Sequence, residues 1–544
     1  MKKLYVLFAA LITTASVNAQ VVYDWHHTTG DTAQASYDNR IVNLATSDSN
    51  YVYVAANSHG LTDLDPGAGT VIVTNTANME GYIAVYNTNG AYVRSWCLVT
   101  TGAGAYSSMR KMYIAGNGDV LVVGNFRGTT DLDPGAGNFP VTSANGDAFF
   151  ARYTKLGQLI WGTSWNLPST QRLILNTVTE IGGEIAIGGT FMVVNVGTDS
   201  VDLDPGAGVD RYIGYGNAGG HGFISRFTSS GNYNWSIPYI GLGVYGLDMT
   251  AQGEMACTGT TAYTTDFDPG PGVASYTAVV GFPGFGDFYV ARYASNGDYL
   301  WHYASGNINQ EGCGLDCRFD QANNIYVVGL CGAPIDLAPG NANVVVNTSG
   351  TFVAKYLTSN LLDWARNGGI ALELDALDNV YVGHMSGIEC FDPAGQSYWS
   401  APVAMMDPFM GSVALSQNGK IHLAFQHYFQ QDVDPGAGTI NTTFSANGST
   451  YVVLTLGLLS TNMTDTPVAT SLNVFPNPAT DHFVFTGDAN GATYVVFNSM
   501  GQEVMRVKTT SVQTRVDVSA LSPGMYFLRN ENSSETVPFV KKNN

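Results

Sequence analysis

Carboxylates recur in this chain at a spacing that could do chemistry. Asp-x-Asp-Pro-Gly occurs five times, carrying Asp63 and Asp65, Asp131 and Asp133, Asp202 and Asp204, Asp266 and Asp268, and Asp432 and Asp434. Asp336-Leu-Ala-Pro-Gly340 is a degraded further copy. Ca²⁺ takes six to eight oxygens, and two carboxylates one residue apart supply several of them, so these ten aspartates are Ca²⁺ candidates. The spacing lacks the distant bidentate Glu that completes an EF-hand. Turn chemistry competes: an Asp side chain accepting local N–H groups, followed by Pro-Gly, closes a loop without any ion. A third reading is an acidic crown that meets a polymer or a partner. Acids paired for glycoside hydrolysis also fit the inventory. That reaction needs carboxyls about 5–9 Å apart, which spacing in sequence does not fix.

Other reactive residues point less far. The nine histidines form no metalloprotease pair, and His26-His27 beside Trp25 reads as edge decoration. There is no Gly-x-Ser-x-Gly elbow and no phosphate loop. Cys313-Gly-Leu-Asp-Cys317 with Cys331 lacks a nearby His for zinc. One or two disulfides near the fifth repeat, or free buried thiols, both remain open for the six cysteines. Arg152, Arg226, Arg292 and Lys355 recur just before a strand-end aromatic. Each is expected to pair with an acid of its own or the adjacent unit.

The elements that position these residues are repeats. A turn leading into an apolar strand recurs at Asn50, Asp119, Glu184, Glu254, Asn324, Asn379 and Lys420, at spacings of 69, 65, 70, 70, 55 and 41. A second strand ends in Tyr86, Tyr153, Phe227, Tyr293, Tyr356 or Phe391, with Tyr451–Leu454 as a weaker seventh. From Tyr153 onward, Gly157, Gly231, Gly297, Asn360 and Gly395 follow, and then Trp161, Trp235, Trp301, Trp364 and Trp399. Trp96 follows Tyr86 at a longer spacing. A fixed turn fixes register, so each Trp reaches one equivalent place. Four strands per unit predict a blade, and seven units predict an all-β, seven-bladed β-propeller over 20–459. The last unit lacks its Trp, and Trp25 stands alone near the start, so the N-terminal strand is expected to complete that blade. The sixth unit is short and lacks the acidic loop.

Composition agrees with a buried repeat. Hydrophobic residues make up 45% and charged residues 12%, with 63 glycines, which excludes disorder and long charged helices. A net charge of −20 excludes nucleic acid as a partner. Lys2, Lys3, the apolar run Leu4–Ile12 and Val17-Asn18-Ala19 read as a signal peptide over 1–19. No apolar stretch is long enough for transmembrane insertion.

Residues 460–467 read as a linker, and alternating strands with Pro, Asn and Gly turns over 468–544 predict a small C-terminal β-sandwich. Pro476-Asn477-Pro478, Asn498-x-x-Gly501, Asp517-Val-Ser-x-Leu521, Gly524-x-Tyr526 and Lys541-Lys542 closely resemble the C-terminal sorting domain of the type IX (Por) secretion system of Gram-negative bacteria. That resemblance implies handling by the type IX machinery and a secreted or outer-membrane cell-surface location. The central units, notably Asn324–Gly329 and Phe352–Trp364, resemble bacterial secreted propeller repeats of the SBBP type. The expected function is a non-enzymatic binding or adhesion module for glycan or protein partners. A polysaccharide hydrolase or lyase using channel carboxylates, and a structural matrix component, are the alternatives.

Overall fold

The computed structural model describes residues 20–30, 40–47, 51–73, 78–214, 220–279, 286–306, 312–332, 334–338, 345–346, 350–403, 411–427, 430–436, 438–442, 450–459, 473–475, 477–486, 492–498, 502–509, 513–530 and 536–542. The expected signal peptide and linker lie outside them. Two compact units divide the chain, Met1–Thr461 and Asn462–Asn544. The described residues are all β, with no helix.

In the first unit the described strands build seven four-stranded antiparallel sheets. The first sheet runs Arg40–Thr46, Tyr51–Ser58, Glu80–Asn87 and Tyr92–Cys97, each strand hydrogen-bonded to the next. Its middle strands, YVYVAANS and EGYIAVYN, are buried along almost their whole length. A strand covered on both faces needs a near-continuous apolar run, which these two supply. The outer strand YVRSWC buries little beyond Trp96. Five more sheets repeat this order, and in the sixth a tight turn joins Val380–His384 to Gly387–Phe391 where the others have the acidic loop. The first strands of successive sheets touch, from Arg40–Thr46 through Thr100–Ile114 and onward to Ser412–Leu415, which touches Arg40–Thr46 again.

The seventh sheet takes its outer strand from the other end of the chain. Gln20–Gly30 pairs antiparallel with Thr450–Leu459, with Trp25 opposite Thr455. Trp25 also reaches the first sheet: its Nε1 donates to the Thr88 carbonyl at 3.0 Å. A Cβ on Gly90, whose φ is +85°, would lie 2.7 Å from the indole. The same clasp recurs between neighbours, Trp96 under Gly157, Trp161 under Gly231, Trp235 under Gly297 and Trp364 under Gly395. A Cβ at these glycines would strain the left-handed turn and crowd the ring, whereas in the fifth sheet Asn360 takes the equivalent turn at φ +63°.

Cations reinforce these junctions. Arg152 pairs with Asp119 at 2.9 Å in its own sheet and with Glu180 at 3.1 Å in the next. Arg226 pairs with Glu184, Arg292 with Glu254, and Lys355 with Asp320 and Asp363. Each also donates to a carbonyl of the following sheet's turns: Ser229, Gly253, Asn323 and Pro393 respectively. Lys420 makes the corresponding link from the seventh sheet to the first, donating to the Thr88 carbonyl at 2.7 Å.

His27 is no edge decoration, because its ring is buried against Tyr86, 5.5 Å away. His422, also buried, bonds Thr455 at 2.8 Å and Ser416 at 3.1 Å. Burial pulls both imidazoles down to about 4. The unfolded chain protonates at its ordinary value near 6.5 while the folded one does not. The stability each contributes is therefore complete above about pH 6.5 and is lost as pH falls through about 4, up to about 3 kcal/mol apiece. His422→Gln, which keeps the hydrogen-bond capacity, is expected to flatten the fall in melting temperature on acidification. An unchanged slope would contradict this.

The second unit holds a three-stranded sheet, Asn473–Phe475, His482–Thr486 and Gln513–Asp517. Its four-stranded sheet orders Glu503–Lys508, Thr493–Asn498, Gly524–Asn530 and Thr536–Lys541. Phe483, Phe485, Tyr494, Val496, Leu528 and Phe539 form their common core.

Candidate functional site

The seven first strands surround a cavity of about 750 Å³, to which each contributes wall residues such as Leu44, Met112, Thr179, Leu247, Phe319, Leu374 and Leu415. The turns after these strands form its rim, through Gln252, Gln321 and Asp378. In an antiparallel meander this rim lies at the end opposite the acidic loops, which join second to third strands.

A charge cluster crosses the cavity. Arg318 Nη1 donates to Asp316 at 2.7 Å and to the Cys317 carbonyl at 2.8 Å. Lys111 reaches the other oxygen of Asp316 at 3.3 Å. Glu373 faces Arg318 Nη2 at 3.9 Å, and Asp248 accepts the Phe319 N–H at 2.8 Å. These residues come from the second, fourth, fifth and sixth sheets, so no stretch of sequence announces them. Burial resists ionisation of Asp316, yet Arg318 and Lys111 overcome it and hold that carboxyl below its ordinary range. Burial dominates at Asp248 and Glu373, where Arg318 offsets it only in part, and both carboxyls are raised. Burial also works against the charge of Arg318, but Asp316, Glu373 and Asp248 hold it above its ordinary range.

The acidic loops share one geometry. Asp131 Oδ1 accepts the Asp133 N–H at 3.0 Å and the Phe139 N–H at 2.8 Å, closing the loop across eight residues. Asp133 Oδ1 accepts the Gly135 N–H at 2.9 Å. Asp63 and Asp65, Asp202 and Asp204, Asp266 and Asp268, and Asp432 and Asp434 repeat the pattern. Asp336 keeps the first bond, to Ala338 at 3.0 Å. Among the described residues no group of three or more His, Cys, Asp or Glu is placed to hold a metal ion.

The motif is longer than five residues. A Cβ on Gly137 would lie 1.9 Å from Asp133 Oδ2, and Gly69, Gly208, Gly272 and Gly438 meet their aspartates alike. Where the second Asp is replaced by Ala338, the sequence has Ala342 at that glycine's place. The residue between the two aspartates is buried, and the strand-end tyrosine anchors its carbonyl. Tyr86 donates to Leu64, Tyr153 to Leu132, Tyr293 to Phe267 and Tyr356 to Leu337, at 2.9 to 3.0 Å. Phe227 has no hydroxyl for Leu203, and Trp165 Nε1 takes its place at 3.1 Å. Asp131→Ala strands two N–H groups and is expected to cost about 1–3 kcal/mol in urea unfolding. Asp133→Ala should cost less, since Ala338 already serves at that position; equal losses would refute this division.

The six cysteines are free thiols, the second of the two readings left open by the sequence. Cys313 lies opposite Leu330 and Cys331 opposite Gly312, and the pleat turns these two thiols to opposite faces.

In the second unit the motif residues do separate work. Asn477 accepts the Val540 N–H at 3.0 Å and donates to the Pro538 carbonyl at 3.1 Å, tying the segment to the last strand. Tyr526 packs on Phe539 and donates to the Ser522 carbonyl at 2.8 Å. Leu521 borders the core, and Lys541 is buried with Nζ on the Lys542 carbonyl. Pro478, Gly524 and Lys542 are exposed. Pro476 and Gly501 lie outside the described residues.

An exported all-β repeat protein with a C-terminal address is the class these features define. Residues 473–542 match the secretion system C-terminal sorting domain, which marks the chain for type IX export to the cell surface or extracellular space. The chain is similar to Beta-agarase A of Zobellia galactanivorans, 35% identical over 77 residues, and covers 14% of that relative's length and 14% of its own. It is also similar in structure to the WD40 β-propeller domain of Doa1, at 8% identity and a TM-score of 0.37, over 81% of this chain and 98% of that one. PorZ, an essential bacterial surface component of the type-IX secretion system of Porphyromonas gingivalis, aligns over 94% of this chain and 100% of its own, at 11% identity and a TM-score of 0.17. No helix among the described residues is long and apolar enough to cross a membrane.

Proposed function

We propose that residues 20–459 form a seven-bladed, SBBP-type β-propeller closed by its N-terminal strand. Cleavage after Ala19 frees that strand, residues 460–467 link it to the sorting domain over 468–544, and the exported propeller is a non-enzymatic binding module for glycan or protein partners. The contact from the seventh first strand back to the first, and the Trp25 clasp on Gly90, support closure.

The state of the channel acids carries the choice between binding and catalysis. Glycoside hydrolysis needs a protonated carboxyl beside an ionised one that is free to act. Asp316 is capped by both Arg318 and Lys111, and Asp320, Asp375 and Asp378 already accept the N–H groups of rim turns. A glycan and polysaccharide array probed with the mature chain, with reducing-sugar release measured on each hit, tests this reading. Retention without release is expected, and release would make the protein a hydrolase.

The acidic loops serve this module as self-closed turns, since their own N–H groups already occupy one oxygen of each aspartate. Titrating the mature chain with Ca²⁺ is expected to give neither heat nor a melting shift. Both together would assign the metal to these loops.

A further inference from the structure

We propose that the central cavity binds a neutral saccharide chain at a station formed by Asp248, Arg318 and Glu373. This rests on the binding-module reading and gives that module its ligand class. Five carboxylates and two cations line the cavity. Three of the acids are already committed to rim turns. Asp320 accepts the N–H groups of Ala322 and Asn324 at 3.0 and 2.7 Å, and Asp375 those of Leu377 and Asn379 at 2.8 and 3.0 Å. Asp378 accepts the Gln321 N–H at 3.1 Å. Lys111 is committed to Asp316.

What remains is one guanidinium between two carboxyls. Asp316 and the Cys317 carbonyl fix Nη1, which sets the plane of Arg318 and leaves Nη2 directed at Glu373 across 3.9 Å, beyond hydrogen-bond reach. A carboxylate offers about four acceptor sites. Glu373 uses one on the Leu374 N–H at 3.2 Å, and among the described residues Asp248 accepts the backbone N–H groups of Phe319 and Met249.

A sugar hydroxyl both donates and accepts, so neighbouring hydroxyls can donate to the carboxyls and accept from the guanidinium. The excess of acid in the lining repels a uronate or a sulfated glycan, whereas a neutral sugar meets no such field. The aliphatic wall residues, Leu374 and Leu415 among them, offer apolar surface to ring faces, and the cavity volume falls within the range of small-molecule sites.

The test is calorimetric titration of the mature chain with maltohexaose, cellohexaose, laminarihexaose and xylohexaose, beside oligogalacturonate. At least one neutral hexasaccharide should bind and oligogalacturonate should not. Glu373→Gln and Asp248→Asn, both near-isosteric, should each weaken that binding about tenfold or more without lowering the melting temperature. Binding untouched by either variant, preference for oligogalacturonate, or silence across all five probes overturns the assignment while leaving a protein-binding module intact. Cleavage of a bound hexasaccharide instead defeats the non-enzymatic reading itself.

Discussion

Trp25→Ala in the mature chain is expected to lower the free energy of unfolding by about 3 kcal/mol. Trp25 belongs to the strand that pairs with Thr450–Leu459, and its indole also packs beneath the first sheet's turn at Gly90. The substitution therefore removes a packed ring, its hydrogen bond to Thr88, and part of the join between the two ends of the repeat array. The low end of the range for burying a large aromatic applies because Trp25 is half-buried. Removing residues 20–30 altogether should do more, since it bares the ladder edge of Thr450–Leu459 and leaves Lys420 without Asp24, its partner at 2.7 Å. A synthetic peptide of residues 20–30 should restore the melting temperature of that truncated chain. If Trp25→Ala unfolds at the wild-type urea concentration, or the peptide restores nothing, the strand is not what holds the array together.

The parts of this molecule that repeat were legible, and the parts that occur once were not. The Trp, the turn glycine and the strand-end aromatic recur because each junction poses the same packing problem, so periodicity alone located them. Trp165 stood outside that pattern, and its reason is chemical: it supplies the donor that Phe227 lacks. Gly137 and its equivalents went unread as part of the acidic motif, although Ala342 opposite Ala338 carries the signal within the sequence itself. The channel cluster left no comparable trace. Asp248, Arg318 and Glu373 share one register position of their first strands, opposite Ala256, Tyr326 and Tyr381, but Tyr113, Thr179 and Ala414 stand there in other sheets, so alignment of units shows no common residue type. Only the placement of the strands around one cavity brings them together. His27 was misjudged for a related reason, since the strand that carries it is buried by residues more than four hundred positions away.

Arg318→Met should be the most damaging single change in the cavity. It keeps the length of the side chain but removes the cation that faces Asp316, Glu373 and Asp248 together. Deleting one partner of a buried pair costs about 3–5 kcal/mol, because the charge left behind is no longer compensated. The dependence on pH separates this cause from lost packing. Asp248 and Glu373 already sit above their ordinary range, so the folded state holds their protons more tightly than the unfolded chain does. Their share of stability is present below the unfolded carboxyl range and is lost as pH rises through the folded values. Asp316 behaves oppositely in the native protein, being held ionised by Arg318 and Lys111. Without Arg318 it loses the stronger of its two cationic supports and moves toward the other two. The variant should therefore be destabilised most at alkaline pH and recover part of the loss on acidification, as the three carboxyls take up protons. Arg318→Lys should restore part of the neutral-pH stability through its charge, but less than the planar guanidinium that bridges Asp316 and the Cys317 carbonyl. A deficit equal at both pH values would trace the loss to packing alone, and the charge network would then have no part in holding the channel together.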